Sequence, residues 1–171
     1  TFNSYVDLED ALQKMEYNQE GFMLFSSNRE DRVKIKNPQY QYVFDLKGNH
    51  TNFTYSLLDK ILKGTDYEYA RYFSENCRFI HNIKQCLDYL IKDLFNIYIN
   101  IHVNKNRIDI PYKLRPLLYQ IHGIFLENRK NNKNYKTTLN TISKYIYSLD
   151  TAKVYFVLFK PVVPSETTHT A

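Results

Sequence analysis

A chain of 171 residues that is 43% hydrophobic and 24% charged has globular composition, with room for one ordinary domain or for the end of one domain and a small second one. Its net charge of +5 and pI near 9.0 favour polyanionic partners such as nucleic acid, because neutralising phosphates releases condensed counterions. Cys77 and Cys86, the only cysteines, exclude a disulfide framework and point to a reducing, cytoplasmic home, and no apolar run is long enough to span a bilayer.

The chain opens on Thr1 directly into patterned sequence, as a fragment would. Leu8, Ala11, Leu12 and Met15 fall at i, i+3, i+4 and i+7 behind Asp7, Glu9 and Asp10, which predicts an amphipathic helix over 6–15 with carboxylates suited to its N-terminal dipole. Two short apolar runs follow, Gly21–Phe25 and Arg32–Lys36, around the polar stretch 26–31. They predict a β-hairpin with a six-residue loop. Asn37-Pro38 is a cap followed by a proline at the first helical position, so a short helix is expected over 38–46. Another is expected over 53–63, stopped by Gly64, and Thr65-x-x-Glu68 matches a capping box opening a brief helix over 66–73.

The longest predicted helix begins after Ser74, with Phe79, Ile80, Ile83, Leu87, Leu90, Ile91, Leu94 and Phe95 at helical spacing. A loop around 103–111 leads to a helix over 114–128, where Pro116 is tolerable in the first turn. The run 128–136 is basic, Asn-rich and expected as a solvated loop. Thr137 or Thr138 caps a further helix ending near Ser148. Residues 152–160 have strand propensity, yet the cap-like Asp150-Thr151 and the lack of a partner strand predict a helix. From Pro164 onward a disordered tail is expected. The fold class is thus α+β: a hairpin, then an all-helical remainder.

The chemistry lies in Glu20-Gly21-Phe22-Met23-Leu24 and Arg32-Val33-Lys34-Ile35-Lys36-Asn37-Pro38. Lys34 and Lys36 are two apart on a strand, so both ammonium groups leave one face while Val33 and Ile35 take the other. Adjacent like charges repel unless an anion sits between them, and a phosphate is such an anion. The hairpin brings Glu20 to the same end of the sheet, where a carboxylate can hold a divalent metal or its waters. From local physics alone, an ordinary exposed hairpin remains the alternative. Cys77, His81 and Cys86 do not share one helix face and no further pair completes a zinc site, so helix packing is expected there. His122 reads as a packed or capping histidine.

An Glu-Gly-aromatic-apolar start, a turn and an apolar-Lys-x-Lys strand resemble motifs IV and V of the covalent nucleotidyltransferases, which comprise DNA ligases, RNA ligases and mRNA capping enzymes. The continuation through Asn37-Pro38 and Tyr40, with Asp45-Leu46-Lys47-Gly48-Asn49, Ile61-Leu62-Lys63-Gly64, Glu68 and Tyr72-Phe73, is similar to RNA ligases of phages and large viruses. The resemblance covers about residues 5–75. It implies that Glu20 is a metal-associated residue and that Lys34 and Lys36 contact the α-phosphate of ATP. It further implies Mg2+ or Mn2+ as the ion and RNA, tRNA among the candidates, as substrate. Residues 1–37 would end an adenylation domain, 38–163 would form a helical C-terminal domain that helps choose the RNA, and 164–171 would be the tail. DNA ligases and capping enzymes follow motif V with a β-barrel, which needs turn residues every 8–12 positions, and the long helical stripes here disfavour it.

One part of the pattern is missing. The adenylated lysine of that family lies in Lys-x-Asp-Gly, whereas the glycines here, Gly21, Gly48, Gly64 and Gly123, follow Glu20, Lys47, Lys63 and His122. The expected function is therefore part of an ATP-dependent RNA ligase whose nucleophile lies upstream. The alternative is a free-standing basic helical module that binds RNA or a protein without catalysis.

Overall fold

The computed structural model describes Phe2 and residues 4–161, so the expected tail lies outside the described residues. The fold is α+β, mostly helical, with a two-stranded antiparallel hairpin as the sheet among the described residues. Two compact units divide between Thr51 and Asn52.

In the first unit, helix α1 (Tyr5–Gln13) is capped by Ser4, whose Oγ accepts from the Asp7 amide at 3.1 Å, and it buries Leu8 and Leu12. Strands β1 (Gly21–Phe25) and β2 (Arg32–Lys36) pair with Gly21 opposite Lys36 and Phe25 opposite Arg32. The loop closes on Ser26, whose Oγ accepts from the Asp31 amide at 3.0 Å while its own amide donates to the Asp31 carbonyl at 2.9 Å. Helix α2 (Pro38–Lys47) follows with Asn37 as N-cap and Pro38 in its first turn.

The change from strand to helix near 37 is where the sequence changes texture, yet the first compact unit runs on to Thr51. Asn37 supplies the reason. It has no exposed surface. Its Nδ2 donates to the Glu16 and Gln19 carbonyls at 2.9 and 3.0 Å, and its Oδ1 accepts from the Gln39 amide at 2.9 Å. Its backbone amide donates to the Glu20 carbonyl at 2.9 Å, prolonging the hairpin by one bond. One side chain thus ties the α1–β1 connection, the end of β2 and the start of α2 together.

The second unit packs around α5 (Cys77–His102), 26 residues and roughly 39 Å long at 1.5 Å per residue. Against it lie α3 (Phe53–Lys63), α6 (Arg115–Asn131), α7 (Leu139–Tyr147) and α8 (Thr151–Phe159), while α4 (Asp66–Tyr72) packs on α3. The core holds Leu57, Leu58, Leu87, Leu94, Ile121, Ile142, Ile146 and Val154, none more than 1% exposed. This is the predicted stripe of α5 meeting the apolar faces of its neighbours. Two of the buried polar groups are partnered across the helices: Thr151 Oγ1 donates to Asp59 Oδ1 at 2.7 Å, and Lys84 pairs with the largely buried Asp66 at 2.5 Å. Lys60 is buried too, donating to Ser56 Oγ at 3.0 Å with its ammonium over the Tyr69 ring, and burial pushes its pKa down.

Two local expectations differ from the fold, and an open one is decided by it. Thr65 precedes α4 but its side chain makes no capping bond; it bends back over the end of α3, where its hydroxyl donates to the Lys60 carbonyl. Helix α6 continues to Asn131, so Lys130 is helical and the turn before the Thr138 cap is only 132–137, solvated at Asn132, Lys133, Asn134 and Lys136. Of the two threonines before α7, Thr138 caps, accepting from the Thr141 amide at 3.2 Å, and Thr137 is buried.

The Asn37 network yields a testable contrast. Asn37→Ala removes three side-chain hydrogen bonds and is expected to cost about 3 kcal/mol at roughly 1 kcal/mol net per bond. That corresponds to a ~100-fold fall in hydrogen-exchange protection of the β1 and β2 amides, on the measure of ~1.4 kcal/mol per tenfold. Asn37→Asp keeps the cap acceptor but turns an oxygen toward two carbonyls, so it should be as damaging. An aspartate variant with wild-type protection would assign the two Nδ2 bonds no role.

Candidate functional site

The hairpin faces follow from register. Residues directly opposite share a face, so Met23 and Phe25 lie beside Lys34 and Arg32, with Lys36 opposite Gly21. The other face carries Phe22, Leu24, Val33 and Ile35. Three cations therefore line one strand face, Arg32, Lys34 and Lys36, all exposed. Arg32 was not singled out by the motif pattern; its place two residues before Lys34 is the signal that identifies it.

Glu20 joins this row. Its Oε1 lies 2.5 Å from Lys34 Nζ, with both side chains nearly half exposed. Strict alternation carried back from Gly21 would send Glu20 to the opposite face. Gly21 breaks that alternation with a φ of +135°, open to glycine and strained for any other residue. It also allows close approach of the strands: a Cβ there would meet the Ile35 carbonyl oxygen at 2.0 Å and the Lys36 Cα at 2.9 Å. The Glu-Gly pair thus has a physical cause. The glycine lets β1 close on β2, and the bend sets the carboxylate on the lysine.

Lys36 is held from the other side, donating through Nζ to Gln41 Oε1 at 3.0 Å, and Gln41 in turn donates to Asp45 Oδ1 at 2.9 Å. The three residues marked by sequence are therefore within one small surface, with Lys34 committed to Glu20 and Lys36 to α2. The hydrogen bond from Lys34 holds the Glu20 carboxyl below its ordinary pKa, against desolvation and with smaller help from the charges of Lys34 and Lys36. Asn37 is a positioning residue for the group, because its amide grips the Glu20 carbonyl and its side chain the Gln19 carbonyl.

The other candidates form no site among the described residues. Cys77 and His81 are exposed on α5 and Cys86 is half-buried, so the first two are not core residues as the sequence had implied. His122 stacks on His102 with ring centroids 4.0 Å apart, and its Nδ1 lies 3.3 Å from the Tyr98 hydroxyl. Burial, then the charges of His122 and Lys105, push His102 down in pKa, which favours its neutral ring. Among the described residues no group of three His, Cys, Asp or Glu is placed to hold a metal, and no helix is long and apolar enough to cross a membrane.

Comparison with protein-family models, with curated proteins and with solved structures finds no match to this chain.

The Glu20–Lys34 pair carries its own check. With the folded pKa depressed, the pair is fully formed above the unfolded carboxylate range and is lost as pH falls through the lower folded value. An NMR titration of the Glu20 side chain should place its midpoint below that of an ordinary glutamate. Lys34→Ala should move it upward and Lys36→Ala less so. A midpoint unmoved by Lys34→Ala would mean the pair does not persist in solution.

Proposed function

We propose that this chain is part of an ATP-dependent RNA ligase, in which Lys34 and Lys36 take the α-phosphate of ATP and Glu20 serves a Mg2+ or Mn2+ ion beside it. The observation that carries the reading is the single surface on which Lys34, Lys36 and Glu20 meet around the obligatory Gly21.

The donor set fits the groups implied. Two cations held two residues apart on one strand relieve their repulsion when a phosphate binds between them. Arg32 extends the row for a longer polyanion. A magnesium ion keeps several waters and takes one or two carboxylates together with phosphate oxygens, so a lone glutamate next to a phosphate seat matches its needs. When bound, the ion stabilises charge on the phosphate oxygens as pyrophosphate leaves. The chain's own residues orient the phosphate: Lys34 must exchange Glu20 for a phosphate oxygen, and Gln41 keeps Lys36 extended along the strand. The hairpin also fits as the end of a wider sheet, since an isolated two-stranded ribbon is marginal in water and Met23, Phe25 and Val33 are exposed on it. The nucleophilic lysine, in a Lys-x-Asp-Gly, must come from outside these residues, and the path then runs through lysyl-AMP and RNA-adenylate.

A second reading, a basic helical RNA-binding module without catalysis, is favoured by one observation. Five of the cations, Arg129, Lys130, Lys133, Lys136 and Lys144, lie in 128–149, where there is no carboxylate; outside it 18 Lys and Arg balance 18 Asp and Glu. The whole formal charge of +5 thus resides in that segment.

Enzyme–AMP formation without RNA separates the two. In a protein that joins this chain to a Lys-x-Asp-Gly segment encoded upstream, Lys34→Ala and Lys36→Ala should each slow adenylation by ~100-fold or more, as loss of one charge-stabilising donor typically does. Glu20→Ala should be comparably damaging, and Lys130→Ala and Lys133→Ala should leave the rate unchanged. The chain alone, given ATP and magnesium, should form no covalent adenylate. Strand lysines as dispensable as the α6 and turn lysines would leave only the binding module.

A further inference from the structure

The end of α6, the turn 132–137 and α7 enclose an open groove of about 480 Å3. Asn128, Tyr135, Asn140, Thr141, Lys144 and Tyr145 are among its lining residues, and no carboxylate lines it. Lys144 lines it, and the other four cations of 128–149 lie on the elements that enclose it, Arg129 and Lys130 at the end of α6 and Lys133 and Lys136 in the turn, every one exposed. None of them makes an ion pair among the described residues, and the one ring contact is Arg129 over Phe125 at 5.4 Å. A row of like charges without carboxylates costs free energy by self-repulsion and is relieved by a polyanion.

The groove adds what a cation row lacks. Tyr135 is half-buried, its hydroxyl held by Thr141 Oγ1 at 3.2 Å and its ring near Phe125, so the phenol is fixed rather than free to swing. Asn140 spends its amide on no hydrogen bond among the described residues, and Asn128 uses only its Nδ2, on the Ile124 carbonyl. An oriented aromatic ring, side-chain amides with unused donors or acceptors, and a lysine at the same rim are the groups that receive one unstacked base and its phosphate.

We propose that this groove seats one unstacked nucleotide of a single-stranded RNA, with the surrounding cations holding the phosphates on either side. The inference rests on the RNA half of the proposed function and not on adenylation, so it stands on either reading given above. An acidic peptide would satisfy the cations but leave the ring and the amides unused, and a duplex offers no splayed base for the groove.

The test is fluorescence anisotropy of the full chain with a short labelled single-stranded RNA, without ATP or magnesium, over a range of salt. Lys133→Ala with Lys136→Ala should weaken binding at least tenfold. It should also lower the slope of log affinity against log salt by about 1.4, at roughly 0.7 per phosphate contact on single strands. Asn140→Ala, at an exposed position that leaves the core intact, should weaken single-stranded RNA severalfold and leave the salt slope unchanged. If RNA binds and none of these variants changes it, the groove is not the seat although the chain remains an RNA binder. If wild-type chain binds no RNA at low salt, the RNA reading fails and the groove proposal with it. Duplex RNA binding as tightly, or polyglutamate displacing RNA at equal charge, would overturn the seat in favour of a nonspecific basic surface.

Discussion

Asn37 spends both donors of its buried amide, on the carbonyls of Glu16 and Gln19, its oxygen accepts from the Gln39 amide, and its backbone N–H reaches Glu20. A buried amide left unsatisfied costs more than each bond contributes, so the arrangement is nearly all-or-none. The carbonyls it serves lie in the irregular stretch between α1 and β1, where neither helix nor sheet provides donors. Remove the side chain and that connection has no reason to run where it does. Glu20 follows within one residue, so the position of the candidate carboxylate depends on an amide that touches neither Lys34 nor Lys36.

Gly21 contributes the other constraint on the hairpin. Asn37 pulls the β1 entry toward the end of β2 from one side, and the absent Cβ at Gly21 lets it come. The closeness is what gives Glu20 its reach to Lys34. Two unlike requirements, an amide that must be paired and a side chain that must be missing, thus converge on one carboxylate. Electrostatics follows from that geometry, because the lowered Glu20 pKa is first a consequence of the Lys34 hydrogen bond.

The elements were legible in the sequence because each one announces itself locally. Leu8 and Leu12 face inward at helical spacing, Asn37-Pro38 starts α2, Gly64 takes the left-handed position after α3, and Asp150 caps α8 through the Ala152 amide. Even the ambiguous 152–160 segment is decided by its cap, since Val154 buries itself in the bundle rather than finding a strand. What sequence spacing could not express was approach in space. The burial of Asn37, the collision that a Cβ at Gly21 would meet, and the return of Thr65 to the end of α3 all depend on segments distant along the chain or on backbone direction. The end of α6 was misplaced for a different reason: an Asn- and Lys-rich run reads as loop, while in the fold the helix ladder continues, the Asn132 amide reaching the Asn128 carbonyl. The candidate residues were found from their pattern; Arg32 carried the same two-residue spacing outside the motif, and the supporting Gln41 is visible only from the contact that α2 makes with Lys36.

The two charged surfaces work on opposite principles. Among the described residues the cations of 128–149 make no ion pairs, so the surface attracts any polyanion and discriminates only through what the groove adds. On the hairpin, Lys34 is already paired and Lys36 already hydrogen-bonded, which suppresses indiscriminate attraction. A ligand gains there only if it replaces both partners at once, a phosphate oxygen for Glu20 on Lys34 and another for Gln41 on Lys36. The Glu20–Lys34 pair is exposed, and exposed pairs hold weakly, so the exchange is inexpensive. On the proposed reading a magnesium ion would shift the balance further, by taking the carboxylate that the phosphate displaces. On that reading, phosphate and metal therefore bind cooperatively: each takes one half of a pair that neither could separate as easily alone. Because the Glu20–Lys34 pair is exposed and weak, that cooperativity is modest, a preference for nucleotide arriving with its metal and not a requirement.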